Sequence, residues 1–166
     1  IGIRINPQIG TGKIKMTSVA GVYSKFGIPI NEFRNELLAA FAKYNWLTGV
    51  HLHIGSQGCD IEMLANGCKI VFDFVIEINN QLKRQQINSF DIGGGLPVAY
   101  NKNETPPSMK KYSELLRKNC PQLFTNDFKI ITEFGRWIFA NAGWAVSRVE
   151  YVKKNRRIDT ILIHLG

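Results

Sequence analysis

Residues Val50–Ile61 read VHLHIGSQGCDI. An apolar run carries two histidines two positions apart, then breaks into Gly-Ser-Gln-Gly. A helical pattern starts at once, with Ile61, Leu64, Cys68, Val71, Phe72, Val75 and Leu82 on one broad face. This is a strand (Leu47–Ile54), a polar loop and a helix from about Asp60. The unit recurs. Asn88–Ile92 reads as a strand ending in Gly93–Gly95, and Ser108 can cap a helix through Lys118. Phe128–Thr132 is a further strand, followed by Glu133 and Arg136. Upstream, Ile1–Asn6 alternates as a strand, and a loop rich in Gly and Thr runs to about Ser18. NEFRNELLAAFAKYN then places Phe33, Leu37, Phe41 and Tyr44 at helical spacing, with Asn31 as its candidate cap.

Strands separated by about 25–40 residues with helices between them favour parallel pairing. Polar residues recur just after strand ends: His53 and Ser56, then the glycines, then Glu133 and Arg136. Sites lie at that edge in open α/β sheets and in (β/α) barrels alike. Three consecutive units of this kind point to an α/β fold of the (β/α)8 barrel class. Val146–Val152 and Ile158–His164 read instead as a hairpin, with KKNR near the turn, so the barrel pattern ends near residue 140. The expected division is a barrel portion over residues 1–143 and the start of a β domain over 144–166. Both ends of the chain read as strand, which suggests a segment of a longer protein.

The 166 residues are 45% hydrophobic, enough for a sizeable core. Net charge is +8, which raises nucleic acid as a partner. The basic residues fall in short runs such as KRQQ, MKKY and VKKNRR, without zinc-finger spacing or an aromatic platform, so no nucleic-acid partner is expected. Cys59, Cys68 and Cys120 form no close pair, and without a secretion signal they suggest a reducing, cytoplasmic setting. No apolar run is long enough to span a membrane, so no membrane partner is expected.

Each polar cluster has a plain and a chemical reading. DIGGG is a tight strand-to-loop turn, or a backbone cradle for phosphate. It is neither GxGxxG nor a P-loop. Glu133 and Arg136 form a structural ion pair, or they divide the work, the arginine on a phosphate and the acid on a protonated ring nitrogen. His51 and His53 point to one side of their strand. His51 reads best as a satisfied core residue and His53 as a flat face for an aromatic cofactor. Zinc held by both is the alternative, with His164, Asp91 and Cys59 as further ligands. Ser56 suits a phosphate contact better than a nucleophile, since GSQG is not a nucleophile elbow. An imidazole face, a glycine turn, a hydroxyl, an acid and an arginine would together hold a phosphorylated pyridine. Pyridoxal 5'-phosphate is the natural candidate, and no metal is expected.

These motifs carry a resemblance. IRINP, YSKFGIP, HLHIGSQ, DIGGGLPVAY, EFGR and ANAGWAVSRVEYVK stand in the order of the amino-acid decarboxylases with an alanine-racemase-like barrel. That group includes the diaminopimelate, ornithine and arginine enzymes. GSQ, GGGLPV and the NAG to VEYVK run are most similar to the diaminopimelate type. The resemblance implies barrel strands five to eight and the start of a C-terminal β domain. It implies pyridoxal phosphate bound by Arg4, His53, Ser56, Gly93, Gly94, Gly95, Glu133 and Arg136, with His53 on the ring face and Glu133 on the ring nitrogen as the catalytic pair. Lys25 lies in the SKFG loop and is not the Schiff-base lysine, which the family carries on its first barrel strand. The family's β-domain cysteine, which reaches a neighbouring subunit, also lies outside this sequence. The full-length protein is therefore expected to be a homodimer that decarboxylates meso-diaminopimelate or a related basic amino acid, and the segment alone to be inactive. A metal-dependent hydrolase and a non-catalytic relative that binds the cofactor are the rival readings. Two departures stand out: Phe134 replaces the proline of EPGR, and the loop from Gly10 to Ser18 lacks the family's HP pattern.

Overall fold

The alternation in GIRIN is realised as strand β1 (Gly2–Asn6) of the computed structural model, which describes residues 1–165 apart from 11, 15 and 17. Those three positions fall in the Gly- and Thr-rich loop, so that part of the loop lies outside the described residues. Four more strands join β1: β2 (Ile28–Pro29), β3 (Gly49–His51), β4 (Ser89–Asp91) and β5 (Lys129–Ile131). They form one sheet in the order β2-β1-β3-β4-β5, parallel throughout. Helices α1 (Arg34–Lys43), α2 (Ile61–Leu82) and α3 (Met109–Asn119) fill the connections. Strands expected at Leu47–Ile54, Asn88–Ile92 and Phe128–Thr132 shorten to three paired residues each. Beyond that core the ladder thins to single bonds, Leu52 N–H to Asp91 O and Ile92 N–H to Ile131 O. The two-residue β2 was not foreseen, being too short to show a period.

Register sorts the side chains. Ile3, Val50, Phe90 and Ile130 form one row across the sheet, and Val50 and Phe90 are buried on the helix side. Phe72 of α2 meets Phe90 and Phe128 edge-on, with ring centroids 5.4 and 5.1 Å away. Leu37 and Phe41 of α1, Leu64, Val71 and Ile78 of α2, and Tyr112 and Leu116 of α3 complete the core. Each side chain of this size contributes about 1.5–3 kcal/mol by leaving water. The adjacent row, Arg4, His51, Asp91 and Ile131, faces the other way, because successive strand residues alternate sides. The polar residues of the sheet are thereby gathered on one face.

Ser108 caps α3 as expected, accepting from Lys111 N–H at 3.2 Å. Asn31 does not cap α1. The helix begins later, with Phe33 at its cap position and no side-chain bond there, while Asn31 N–H donates to Gln8 Oε1. The expected hairpin forms from β6 (Val149–Lys153) and β7 (Thr160–Ile163), antiparallel and separate from the main sheet. A short helix, α4 (Gly135–Phe139), precedes it.

Candidate functional site

All strands of the main sheet run the same way, so the residues that follow β3, β4 and β5 meet at one edge. Glu133 Oε2 lies 3.2 Å from His53 Nδ1 and 3.6 Å from His51 Nε2. Gly94 N–H also points to His53 Nδ1, at 3.3 Å. One ring nitrogen cannot serve both. With a proton, Nδ1 donates to Glu133 and Gly94 loses its acceptor; without one, Gly94 is satisfied and the carboxylate is not. The Glu133–His53 contact is therefore readily exchanged for a better donor. Burial pushes the His53 pKa down, and the hydrogen bond and charge of Glu133 only partly restore it. His53 thus favours the neutral ring. His51 is not the satisfied core residue expected: its Nε2 is buried without a hydrogen-bond partner, just too far from Glu133.

The glycine turn is built for close approach. Gly93 and Gly95 have φ of +67° and +100°, a region that other residues avoid. A Cβ on Gly94 would sit 2.3 Å from the Glu133 carbonyl oxygen, and one on Gly95 would sit 2.1 Å from that of Gly55. The turn is pressed between the loops carrying Glu133 and Ser56. Gly93 N–H is engaged by Asp91 Oδ1 and Gly94 N–H by His53, so the backbone donors are not all turned outward.

Arg136 does not pair with Glu133. Its Nε donates to Ser56 Oγ at 3.1 Å, and its Nη1 donates to the phenol of Tyr100. The ion-pair reading of EFGR is not what forms: the acid faces the histidines and the arginine faces hydroxyls. Arg4 stands in register with His51, donates to His53 O at 3.4 Å and lies over the Phe26 ring. Burial lowers its pKa, opposed by the nearby charge of Glu133. Lys25 rests on the same Phe26 ring. Tyr100 and Gln57 were not singled out from sequence, although each closes a motif quoted for the resemblance. Gln57 bonds both ways to the Val98 backbone, at 2.7 and 3.0 Å, tying the GSQG loop to the glycine loop.

Among the described residues, one group of three possible metal donors lies together: His51, His53 and Glu133, with donor atoms within 4.8 Å of one another. The proposed extra ligands His164, Asp91 and Cys59 are not part of it. The described residues form two sizeable concavities among others. One of about 830 Å³ lies between α2 and the segments after β1 and β2, beside the exposed Lys69–Asp73 pair, and is remote from this chemistry. The other, about 610 Å³, lies on the polar face of the sheet and is lined by Arg4, His51, Asp91 and Lys129 among others.

Residues 1–140 match the family model described as pyridoxal-dependent decarboxylase, pyridoxal binding domain. The chain belongs to the pyridoxal-dependent decarboxylases. Among its relatives in the family are diaminopimelate decarboxylases from Campylobacter jejuni, 38% identical over 94% of this chain, and Haemophilus influenzae, 36% identical over all of it. The crystal structure of Helicobacter pylori diaminopimelate decarboxylase complexed with L-lysine superposes with a TM-score of 0.80 at 30% identity, covering the whole chain. The chain spans 38% and 39% of the two relatives' lengths and 40% of that structure. The fold is thus that of a portion of the α/β barrel of these decarboxylases. The matched range is that of this chain, residues 1–140, and does not number its strands within the barrel.

Pyridoxal phosphate is the cofactor of this family, and the donor set fits it. A carboxylate faces two imidazoles, held to His53 by an exchangeable contact. A neutral imidazole stands beside it. Among the described residues the arginine is bonded to hydroxyls, and a glycine turn leaves no room for a Cβ.

Proposed function

We propose that the full-length protein decarboxylates meso-diaminopimelate to L-lysine with pyridoxal phosphate. The observation that carries this reading is the convergence of Glu133, His53, the 93–95 turn, Ser56 and Arg136 at one edge of the sheet. The likeness to diaminopimelate decarboxylases along the whole chain supports the substrate. Glu133 would turn from His53 to the protonated pyridine nitrogen, a stronger donor than a neutral imidazole. His53, kept neutral by burial, would lie flat against the ring. Arg136 and Ser56 would bind the phosphate beside the 93–95 turn, with Arg4 near the cofactor. When bound, the cofactor supplies a conjugated sink for the electron pair left at Cα as carbon dioxide departs. Residues 1–143 would form the cofactor-binding barrel portion and 144–166 the start of a β domain, in a cytoplasmic homodimer. The Schiff-base lysine and substrate-binding cysteine would come from elsewhere in the protein.

The test is carbon dioxide release by the full-length protein from meso-diaminopimelate, ornithine and arginine in parallel. Glu133→Ala should lower kcat by about 10²–10³-fold with little change in KM, as for loss of a charge-stabilising group. An equal loss in both would refute the role of Glu133. The grouping of His51, His53 and Glu133 favours one second reading, a metal-dependent hydrolase. Stoichiometric bound zinc in active protein that lacks the cofactor's visible absorbance would select it.

A further inference from the structure

The carboxyl of Glu104 is turned onto its own loop. Oε2 accepts Tyr100 N–H at 2.7 Å and Asn101 N–H at 3.4 Å, and Oε1 accepts Asn101 Nδ2 at 3.0 Å. The other end of this loop is pinned where Gln57 grips Val98. Fixed at both ends, the loop brings the Tyr100 phenol to Arg136. On the far side of the guanidinium stands Ser56 Oγ. We infer that Tyr100, with its loop closed by Glu104, is a positioning residue that aims Arg136 at an oxyanion.

The chemistry of the partners is the reason. A carboxylate would orient an arginine but also cancel its charge. Hydroxyl oxygens orient it and leave the charge intact. Among the described residues Arg136 has hydroxyl partners and no acidic one; Glu133 goes to the histidines and Glu104 to the backbone. Two of its N–H groups are engaged by Ser56 and Tyr100, and the remainder of the planar fork is available. Little else packs this arginine, since Trp137, Ile138 and Phe139 beside it are exposed. A long side chain on an open five-residue helix would otherwise spread over many rotamers.

This inference rests on the reading of Arg136 as an anion contact. The anion is the cofactor's phosphate or a carboxylate of the substrate. The full-length protein is compared with its Tyr100→Phe, Glu104→Ala, Glu104→Gln and Arg136→Met variants. The readouts are the Kd of pyridoxal phosphate, the Kd of pyridoxal (which lacks the phosphate), and KM against kcat for meso-diaminopimelate. For a phosphate, Tyr100→Phe weakens pyridoxal phosphate about fivefold, the size of one net hydrogen bond, and leaves pyridoxal unchanged. For a substrate carboxylate, the same loss falls on KM alone. Glu104→Ala follows Tyr100→Phe, and Glu104→Gln, which still accepts from the backbone, restores most of the loss. Arg136→Met shows the same selectivity more strongly. Should Arg136→Met be selective while Tyr100→Phe changes nothing, or weakens pyridoxal and its phosphate alike, the inference is overturned and the reading of Arg136 stands. If Arg136→Met is itself without selective effect, both fall.

Discussion

His53 illustrates how a single residue couples site and stability. Its pKa is lowered by burial, so the folded protein resists the proton that the unfolded chain accepts near pH 6.5. Below that value the unfolded state binds more protons, so stability falls as pH drops toward the folded value and is flat above about 7. Thermal melts of the cofactor-free full-length protein between about pH 5 and 8 should show this decline, and His53→Asn should flatten it. The glycines are as exacting. Gly95→Ala would place a methyl 2.1 Å from the Gly55 carbonyl oxygen at a φ of +100°. Strain of about 1–3 kcal/mol and a comparable packing cost are expected, read as a lower urea midpoint. Sequence alone picked out His53, Ser56, Glu133 and Arg136 because each follows a strand end, where polar residues are unusual unless used. It overlooked Tyr100 because an aromatic in a loop has no period to betray it. It misjudged His51 because hydrogen-bond satisfaction depends on which neighbour arrives, and Glu133 comes from a loop about 80 residues away.

At the scale of elements, α3 and the turn after β5 support each other. Phe134 meets Tyr112 of α3 edge-on, with centroids 6.1 Å apart, and lines a small apolar hollow of about 140 Å³ with Met109, Leu116 and Phe124. Glu133 N–H bonds to Gly93 O and Gly135 N–H to Glu133 O, which closes the turn between the acid and the arginine. A proline at this position would fix the turn through its ring; Phe134 holds it by packing. Phe134→Ala should therefore cost about 1–3 kcal/mol, below the value for a fully buried phenylalanine, and should loosen cofactor binding as well. Phe134→Pro suits the observed φ of −80° but not the hollow, so it should recover only part of the loss. Ser108→Ala should cost about 1 kcal/mol, as for an ordinary helix cap, in chemical denaturation. The helices were legible because their apolar faces repeat over several turns. The strand limits were not, because buried parallel strands carry continuous apolar runs whose ends no period marks. Asn31 misled for a related reason: a good capping residue says nothing about where the backbone first turns.

At the scale of the molecule, the sheet ends in β2 on one side and β5 on the other, and neither outer edge is paired among the described residues. Trp144 and Val146 are 96% and 91% exposed, and the β6–β7 hairpin shows Tyr151, Ile161 and Leu162 to solvent. Such edges and apolar faces associate with whatever matches them. Produced alone, residues 1–166 should sediment as oligomers or aggregates; a clean monomer would contradict this. The order of units along the chain made the barrel class legible at this scale, while the hairpin, which packs into no buried core among the described residues, carries no pattern that shows what it faces. One further consequence follows from the His51–His53–Glu133 grouping. Two imidazoles and a carboxylate within 4.8 Å are a donor set able to chelate a metal ion when no ring occupies them. Zinc or nickel would then act as a competitive inhibitor of cofactor loading, so recovery of activity would depend on metal buffering as well as on vitamin supply. Nickel added to the cofactor-free full-length protein should slow its reconstitution, and EDTA should restore the rate.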